Sequence, residues 1–229
     1  MSVSAPVIIR VRLVDQVAAV LRDMIITDRL KPGEHLLQEK LASDLSVSRT
    51  PLREALLKLQ EEGLVTLSGT RGVEVATHDA SQIIELLDVR EALDALAAKL
   101  AARKASPQDT AQIKSVVDKE GELVERLDLH EWLLLNVQFH GAITEASHNR
   151  ALRQLSSYIQ TSSRMVFRTL MVTPQRLVLN FKEHQHIYEA IAAGDAEAAE
   201  LAAKTHIANN KEVVRQWMRD PAPGGAHVP

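Results

Sequence analysis

The sequence of 229 residues predicts a mainly α-helical protein in two parts, an N-terminal winged helix-turn-helix domain and a C-terminal all-helical antiparallel bundle. Short helical patterns precede a hairpin pattern in the first 76 residues. The composition then changes near residue 77, and long Ala- and Leu-rich helical patterns follow, with few Gly or Pro. We place the two domains at 10–76 and 79–218, and we expect the Pro- and Gly-rich tail at 219–229 to be disordered.

The composition excludes several classes of protein. The net charge is −3, so a nucleic-acid site must be a local patch rather than a general basic surface. The absence of cysteine excludes disulfides and thiolate metal sites, and fits a reducing compartment. The N-terminal segment lacks the apolar core of a signal peptide, and no apolar run reaches membrane-spanning length. We therefore expect a soluble, cytoplasmic protein with no membrane partner.

Apolar periodicity predicts three helices and a hairpin in the N-terminal domain. The helices are expected at 12–30, 37–45 and 49–62, and the hairpin at 65–76. Ser48 is a good N-cap for the third helix. The order of a helix, a short helix, a three-residue turn, a further helix and a hairpin is that of the winged helix-turn-helix.

The helix at 49–62 has the features of a recognition helix. Its N-terminal turn carries Arg49, Thr50 and Arg53 on the outward face, and such a helix enters the major groove by this end, where arginine grips guanine or phosphate. The alternative is that the arginines are solvated surface charges. Residues 1–76 carry ten basic and ten acidic side chains, and Glu39 and Glu54 oppose binding, so we expect a homodimer to double the site.

The C-terminal part predicts an antiparallel bundle of about six helices. Their expected spans are 79–104, 107–126, 130–147, 149–171, 174–193 and 195–218. The pair Ser106–Pro107 is a helix start, Pro174 begins another helix, and Gly194–Asp195 ends one helix and caps the next. Bundles of this kind hold ligands and metals between facing helices.

A metal site is predicted inside this bundle. Asn136 and His140 share one helix face, and His184 and His206 lie at similar distances on either side of the Gly194–Asp195 turn, so an antiparallel pair brings them together. Three imidazoles suit a divalent Zn, Ni, Mn or Fe ion. The alternative is that these histidines are ordinary core or surface residues. His186 follows His184 by two positions and points elsewhere, so we interpret it as a non-ligand.

The N-terminal residues resemble a known family. The runs "PG", "SVSRTPLREAL", "EEGLV" and "RGVEV" occur in the order found in the DNA-binding domain of GntR-family transcription regulators. The resemblance implies that Arg49, Thr50 and Arg53 contact bases and phosphates. It also implies that the wing tip, Gly69, Thr70, Arg71 and Gly72, reaches the adjacent minor groove.

The remainder resembles the FCD effector domain of the FadR-type subgroup. The matching runs are "LLDVREALDALAAKLAA", "NVQFHGAITEASHN" and "EHQHIYEAIAAGDAEAA", followed by His206. Metal-binding members carry Asp-x-x-x-His plus two later histidines, which His140, His184 and His206 match. Asn136 stands where Asp is usual, and its amide coordinates more weakly. Metal affinity is therefore lower, or the carboxylate of an effector supplies the missing charge.

The resemblance also implies a small organic acid as effector. Arg90 and Arg164 lie among apolar neighbours in two of the helices, and arginine binds carboxylates through two parallel hydrogen bonds. Either residue is a candidate for the effector pocket, and either is equally explained as the partner in a structural ion pair.

Three functions are compatible with these residues. The first is a ligand-responsive DNA-binding regulator, a repressor or an activator with the repressor favoured. Its homodimer binds a palindromic operator in double-stranded DNA and senses a small carboxylate effector. The second is a metal-dependent hydrolase or other metalloenzyme that uses the three histidines. The third is a DNA-binding protein with a purely structural metal. Glu145 and Glu183 are not compelling as a general base, and only the first function uses both domains.

Overall fold

The computed structural model describes residues 12–27, 29–68, 72–77, 80–126, 129–156 and 173–219. The chain divides into two compact units, Met1–Ala76 and Thr77–Pro229, here called the N-terminal unit and the helical unit. Four residues expected to have a site role, Gly69, Thr70, Arg71 and Arg164, lie outside the described residues, as does the tail from 220.

The N-terminal unit contains three helices and three strands. In chain order these are α1 (Leu13–Ile26), β1 (His35–Leu36), α2 (Gln38–Asp44), α3 (Arg49–Glu61), β2 (Val65–Ser68) and β3 (Gly72–Val75). Helix α3 packs on its neighbours through Leu52, Ala55, Leu56 and Leu59, all buried and spaced three or four residues apart. The predicted recognition helix ends at Glu61, one residue before its predicted boundary.

The small sheet has the strand order β1-β3-β2, with both pairs antiparallel. The hairpin of β2 and β3 follows the predicted alternation, with Val65 opposite Val75. The extended segment at His35–Leu36 adds a third strand by pairing with β3, an edge contact that its own sequence did not predict. This pairing places β3 between β1 and β2, so both edges of β3 are hydrogen-bonded to a neighbouring strand.

The helical unit is built from antiparallel helices. They are α4 (Ala80–Lys104), α5 (Pro107–Arg126), α6 (Leu129–Ala146), α7 over the described residues 150–156, α8 (Pro174–Ala192) and α9 (Ala196–Arg219). Their main core combines Phe139, Ile143 and Ile187 with small residues such as Ala98 and Ala203. Small side chains let the helices approach closely around the polar residues described below.

Helix ends in this unit follow the predicted capping signals. Ser106 accepts a hydrogen bond from the Asp109 N–H at 3.2 Å, and Asp109 Oδ2 accepts one from the Ser106 N–H at 2.8 Å, which is a reciprocal capping box. Gly194 has φ +71°, and Asp195 accepts a hydrogen bond from the Ala198 N–H at 2.9 Å. By contrast, Ser48 has N-cap backbone angles, but its side chain makes no capping hydrogen bond in the described structure.

The mainly helical fold class is confirmed, with the only described sheet in the N-terminal unit. Within the described residues, no helix combines the length and apolarity that crossing a lipid bilayer requires.

Candidate metal centre and nucleic-acid interface

The N-terminal turn of α3 presents the three residues predicted to contact DNA. Arg49, Thr50 and Arg53 are exposed, while the opposite face of the helix is buried in the core of its unit. Helix phase therefore fixes one face for packing and leaves the other for a ligand. The first backbone N–H groups of such a helix also favour an anion such as phosphate.

Arg49 is held in a surface ion pair. Its Nη2 lies 2.6 Å from Glu39 Oε1, and the side chains are 73% and 77% exposed. Such a pair contributes roughly 0–1 kcal/mol and exchanges readily for another partner. Gly72, with φ +85°, is the described member of the predicted wing tip and begins β3.

Three histidines come together inside the helical unit. His140 on α6, His184 on α8 and His206 on α9 are each at most 4% exposed. One ring nitrogen from each lies within 4.8 Å of the others, so the three could hold a metal ion. We call them the histidine cluster. The antiparallel pairing of α8 and α9 across Gly194–Asp195 explains why His184 and His206 meet.

Each ring of the histidine cluster is fixed by a carboxylate on its Nδ1 atom. His140 Nδ1 lies 3.1 Å from Asp94 Oδ2, and His184 Nδ1 lies 2.8 Å from Glu120 Oε2. His206 Nδ1 lies 2.7 Å from Glu183 Oε2. A carboxylate only accepts, so each Nδ1 carries the hydrogen and donates it. The lone pairs of neutral rings in this tautomer are on Nε2.

The electrostatics of the His140–Asp94 and His206–Glu183 pairs favour a neutral ring beside an ionised carboxylate. Burial lowers the pKa of His140 well below its usual value, and it lowers the pKa of His206 to about 4. Burial alone would raise the pKa of Asp94, but the Arg90 guanidinium and His140 hold it well below its ordinary value. The pKa of Glu183 falls to about 2 because hydrogen bonds and charges from His206 and Arg176 outweigh its burial. Neutral imidazole is the form that binds metal.

The Nε2 atoms of the histidine cluster are the nitrogens available to bind a cation. Within the described residues, Nε2 of His140 and of His184 is buried without a hydrogen-bond partner, which costs free energy unless another group satisfies it. His206 Nε2 has the Asn210 side-chain amide nitrogen at 3.3 Å. A small cavity beside His140 and His206 is otherwise lined mainly by apolar side chains. Three neutral imidazoles in this arrangement fit a divalent transition metal.

The other predicted site residues of this unit have different surroundings. Asn136 is 7% exposed and lies one helical turn before His140 on α6. Arg90 is buried, and its Nε donates to Asp94 Oδ2 at 3.1 Å, so it contacts the carboxylate that also holds His140. His186 is exposed, as expected for a non-ligand.

Sequence reasoning missed the carboxylates Asp94 and Glu120, and it considered Glu183 only as a general base. It also missed two further buried polar residues, Arg176 and Asn210. Arg176 donates to both oxygens of Glu183, at 3.1 and 3.0 Å, and also contacts Asn210. One sequence pattern could have indicated these residues: polar side chains repeat every four residues along one face of a helix. Four-residue steps connect Arg176, Asn180 and His184 on α8, His206 and Asn210 on α9, and Arg90 and Asp94 on α4.

Comparisons with known proteins agree with this architecture. Residues 13–75 match the model of the bacterial regulatory proteins of the gntR family, and residues 85–209 match the FCD domain. The chain is 29% identical over 227 residues to the HTH-type transcriptional regulator LutR of Bacillus subtilis, covering 86% of this chain and 99% of LutR. It is 27% identical to the galactonate operon transcriptional repressor of Escherichia coli, covering 88% and 96%.

A solved structure has the same fold. E. coli McbR/YncC superposes with a TM-score of 0.78 at 24% identity, covering 91% of this chain and 100% of that one. The shared fold extends across nearly the whole length of both proteins.

Proposed function

Because the chain belongs to the gntR family of bacterial regulatory proteins and carries an FCD domain, we propose that it is a ligand-responsive transcriptional repressor. It binds a palindromic operator in double-stranded DNA as a homodimer, in the cytoplasm. It senses a small organic acid through a divalent metal held in its helical unit. That the chain is a transcriptional regulator follows from the family; repression, the dimer, the acid and the metal are the proposal.

The observation that supports DNA binding most directly is the exposed N-terminal turn of α3. This turn exposes Arg49, Thr50 and Arg53 on one face of the helix, while the opposite face is buried in the core of the unit. With a net charge of −3, affinity rests on these focused contacts and on two-fold repetition of the site. Gly69, Thr70, Arg71 and Gly72 are proposed to add minor-groove contacts.

The histidine cluster supports a metal-dependent sensor. His140, His184 and His206 would hold the ion, with Asn136 as a weak fourth ligand, and a bound metal polarises and binds carboxylate oxygens. Arg90 and Arg164 remain candidates for the carboxylate of the acid, although Arg90 is engaged with Asp94. A hydroxy or sugar acid fits this chemistry, and galactonate is a suitable first candidate given the name of the E. coli relative. Regulation requires that the acid bind one of two protein states more tightly.

Contacts in the described residues argue against the metalloenzyme alternative. Glu183 contacts His206, Arg176 and Asn209, which fixes it as a hydrogen-bond acceptor rather than a free base. Glu145 is exposed and pairs with Arg153 at 2.9 Å. Glu183 lies on the Nδ1 side of His206 and Glu145 lies on the surface, so neither carboxylate has the position of a general base at the Nε2 atoms.

The test of DNA binding uses an operator selected from random duplex DNA by the wild-type protein. We expect Arg53→Ala to weaken binding to this operator by about 1–3 kcal/mol in a fluorescence-anisotropy titration, because a bidentate contact is lost. Arg29→Ala is the matched control, since Arg29 is an exposed arginine of the same unit that pairs with Asp23. Equal affinity of Arg53→Ala and wild type would refute the assigned interface.

A further inference from the structure

The three carboxylates behind the histidine cluster come from three different helices. Asp94 is on α4, Glu120 on α5 and Glu183 on α8, and each accepts a hydrogen bond from one ring. We infer that Glu120, Asp94 and Glu183 are positioning residues for the proposed metal site, which orient the three ligand nitrogens and supply the negative charge that Asn136 lacks. This inference rests on the metal part of the proposed function.

Glu120 is the most deeply buried of the three carboxylates. Its side chain is fully buried, with 0% exposure. In the described residues its partner is His184, and its other oxygen, Oε1, has no hydrogen-bond partner. Asp94 pairs with the Arg90 guanidinium and Glu183 with that of Arg176, whereas no Lys or Arg of the described part of the chain forms an ion pair with Glu120. A buried carboxylate without a positive partner is costly, and an ion on His184 Nε2 would provide one.

The His184 ring is constrained on its faces as well as its edge. Phe139 stacks on it with ring centroids 4.0 Å apart and an interplanar angle of 19°. Trp132 lies nearly parallel to it at 6.3 Å. The aromatic contacts leave rotation within the ring plane as the main freedom, and the hydrogen bond from Nδ1 to Glu120 removes it. The ring is thus held with Nδ1 on Glu120, which leaves the buried Nε2 as the nitrogen that can bind an ion.

Charge provides the second part of the inference. Three imidazoles and the Asn136 amide form a neutral ligand set, and a neutral set binds a divalent ion less strongly than one with a carboxylate. In this chain the carboxylates do not contact the ion site directly. Each one is hydrogen-bonded to the Nδ1 atom of an imidazole whose Nε2 atom would bind the ion. A carboxylate on the outer nitrogen also makes the ligating nitrogen more basic, and loss of such a partner typically lowers metal affinity about 10–100-fold.

The experiment measures Zn²⁺ and Co²⁺ binding by the full-length protein. Zn²⁺ affinity is obtained by competition with a chromophoric chelator, and the Co²⁺ visible spectrum reports ligand geometry. We expect Glu120→Gln to lose about 10–100-fold in Zn²⁺ affinity and to change the Co²⁺ spectrum, while circular dichroism of the metal-free protein stays that of wild type. Asp109→Asn is the control, because Asp109 pairs with the exposed His148 at 2.9 Å, away from the cluster.

The outcomes separate this inference from the proposed function. Wild-type protein that takes up no metal overturns both. Wild-type protein that binds Zn²⁺ with the affinity of Glu120→Gln overturns this inference alone and leaves the three-histidine site standing. If Glu120→Gln does not fold, Glu183→Gln replaces it, because the Glu183 side chain is 17% exposed and the amide oxygen of Gln can still accept a hydrogen bond from Arg176. An unchanged affinity in that variant overturns the inference equally.

Discussion

The two units of this protein place their polar side chains in opposite ways. In the described N-terminal unit the core is apolar and the candidate DNA contacts stand on the surface. In the helical unit the polar groups are inside. All buried polar or charged side chains of the described residues belong to it: Arg90, Asp94, Glu120, Asn136, His140, Thr144, Ser147, Ser156, Arg176, Asn180, His184, His206 and Asn210.

The difference reflects the ligands that the units are proposed to bind. DNA is large and its surface stays hydrated, so exposed arginines on a surface helix are sufficient to contact it. A metal ion and a small acid are held by desolvated, oriented groups, and each such group needs a partner. A surface side chain therefore changes affinity with little effect on folding, whereas a substitution inside the bundle affects metal binding and stability together.

The largest expected effect comes from removing a ligand of the histidine cluster. His184→Ala deletes the buried Nε2 and leaves two imidazoles, so we expect stoichiometric metal to be lost, as measured by elemental analysis after dialysis. Added Zn²⁺ should raise the thermal midpoint of the wild type and leave that of the variant unchanged, because binding stabilises only a competent site.

His148→Ala is the matched control for this experiment. His148 is exposed and pairs with Asp109 at 2.9 Å, outside the cluster. It should retain the wild-type metal content. A full equivalent of tightly held metal in His184→Ala would place the ion elsewhere, and it would remove the main contrast between the two units.

Local patterns predicted most of the fold. The boundaries of α3 and α5 agree with their periodicity to within one residue, because apolar spacing and caps are local. Helix α1 ends at Ile26 rather than at residue 30. Leu30 is buried in a loop, so its apolar side chain extends the periodic pattern beyond the helix. The spacing of apolar residues indicates which side chains are buried, and buried side chains such as Leu30 also occur after a helix has ended.

The candidate site was only partly predictable for the same reason. The structure brings together His140, His184 and His206, which a family pattern had already related. The link from Glu120 to His184 joins residues 64 positions apart, on α5 and α8, and no spacing within either helix encodes it. Such pairs depend on which helices pack together, which is a property of the bundle rather than of any one segment.

A smaller effect on stability is expected at Ser48 and Ser106, both of which the sequence predicts at the start of a helix. Ser106 exchanges hydrogen bonds with Asp109, whereas the Ser48 side chain makes no capping bond. We expect Ser106→Ala to lower the free energy of unfolding by about 1 kcal/mol and Ser48→Ala to change it by only a few tenths. Urea denaturation monitored by circular dichroism measures both. Equal losses in the two variants would contradict the difference in side-chain capping between α5 and α3.

The smallest expected effect concerns the ion pair that covers the recognition helix. To contact DNA, Arg49 must leave Glu39, whose carboxylate lies 2.6 Å away and also repels phosphates. Glu39→Gln keeps the size of the side chain and removes the charge. We expect operator affinity to rise by roughly two- to five-fold, because an exposed pair contributes at most about 1 kcal/mol. The gain should shrink as salt is raised from low to physiological concentration.

Two further variants determine whether Arg49 is responsible. Glu212→Gln makes the same charge change at an exposed position of the helical unit and should leave operator affinity at the wild-type value. In an Arg49→Ala background the benefit of Glu39→Gln should largely disappear, since the arginine that it frees is absent. If the benefit persists in that background, Glu39 acts by repelling DNA directly, and Arg53 rather than Arg49 is the main contact. In that case the charge of Glu39 affects DNA binding independently of Arg49. The carboxylates inside the helical unit differ, because they are proposed to affect the metal through their histidine partners.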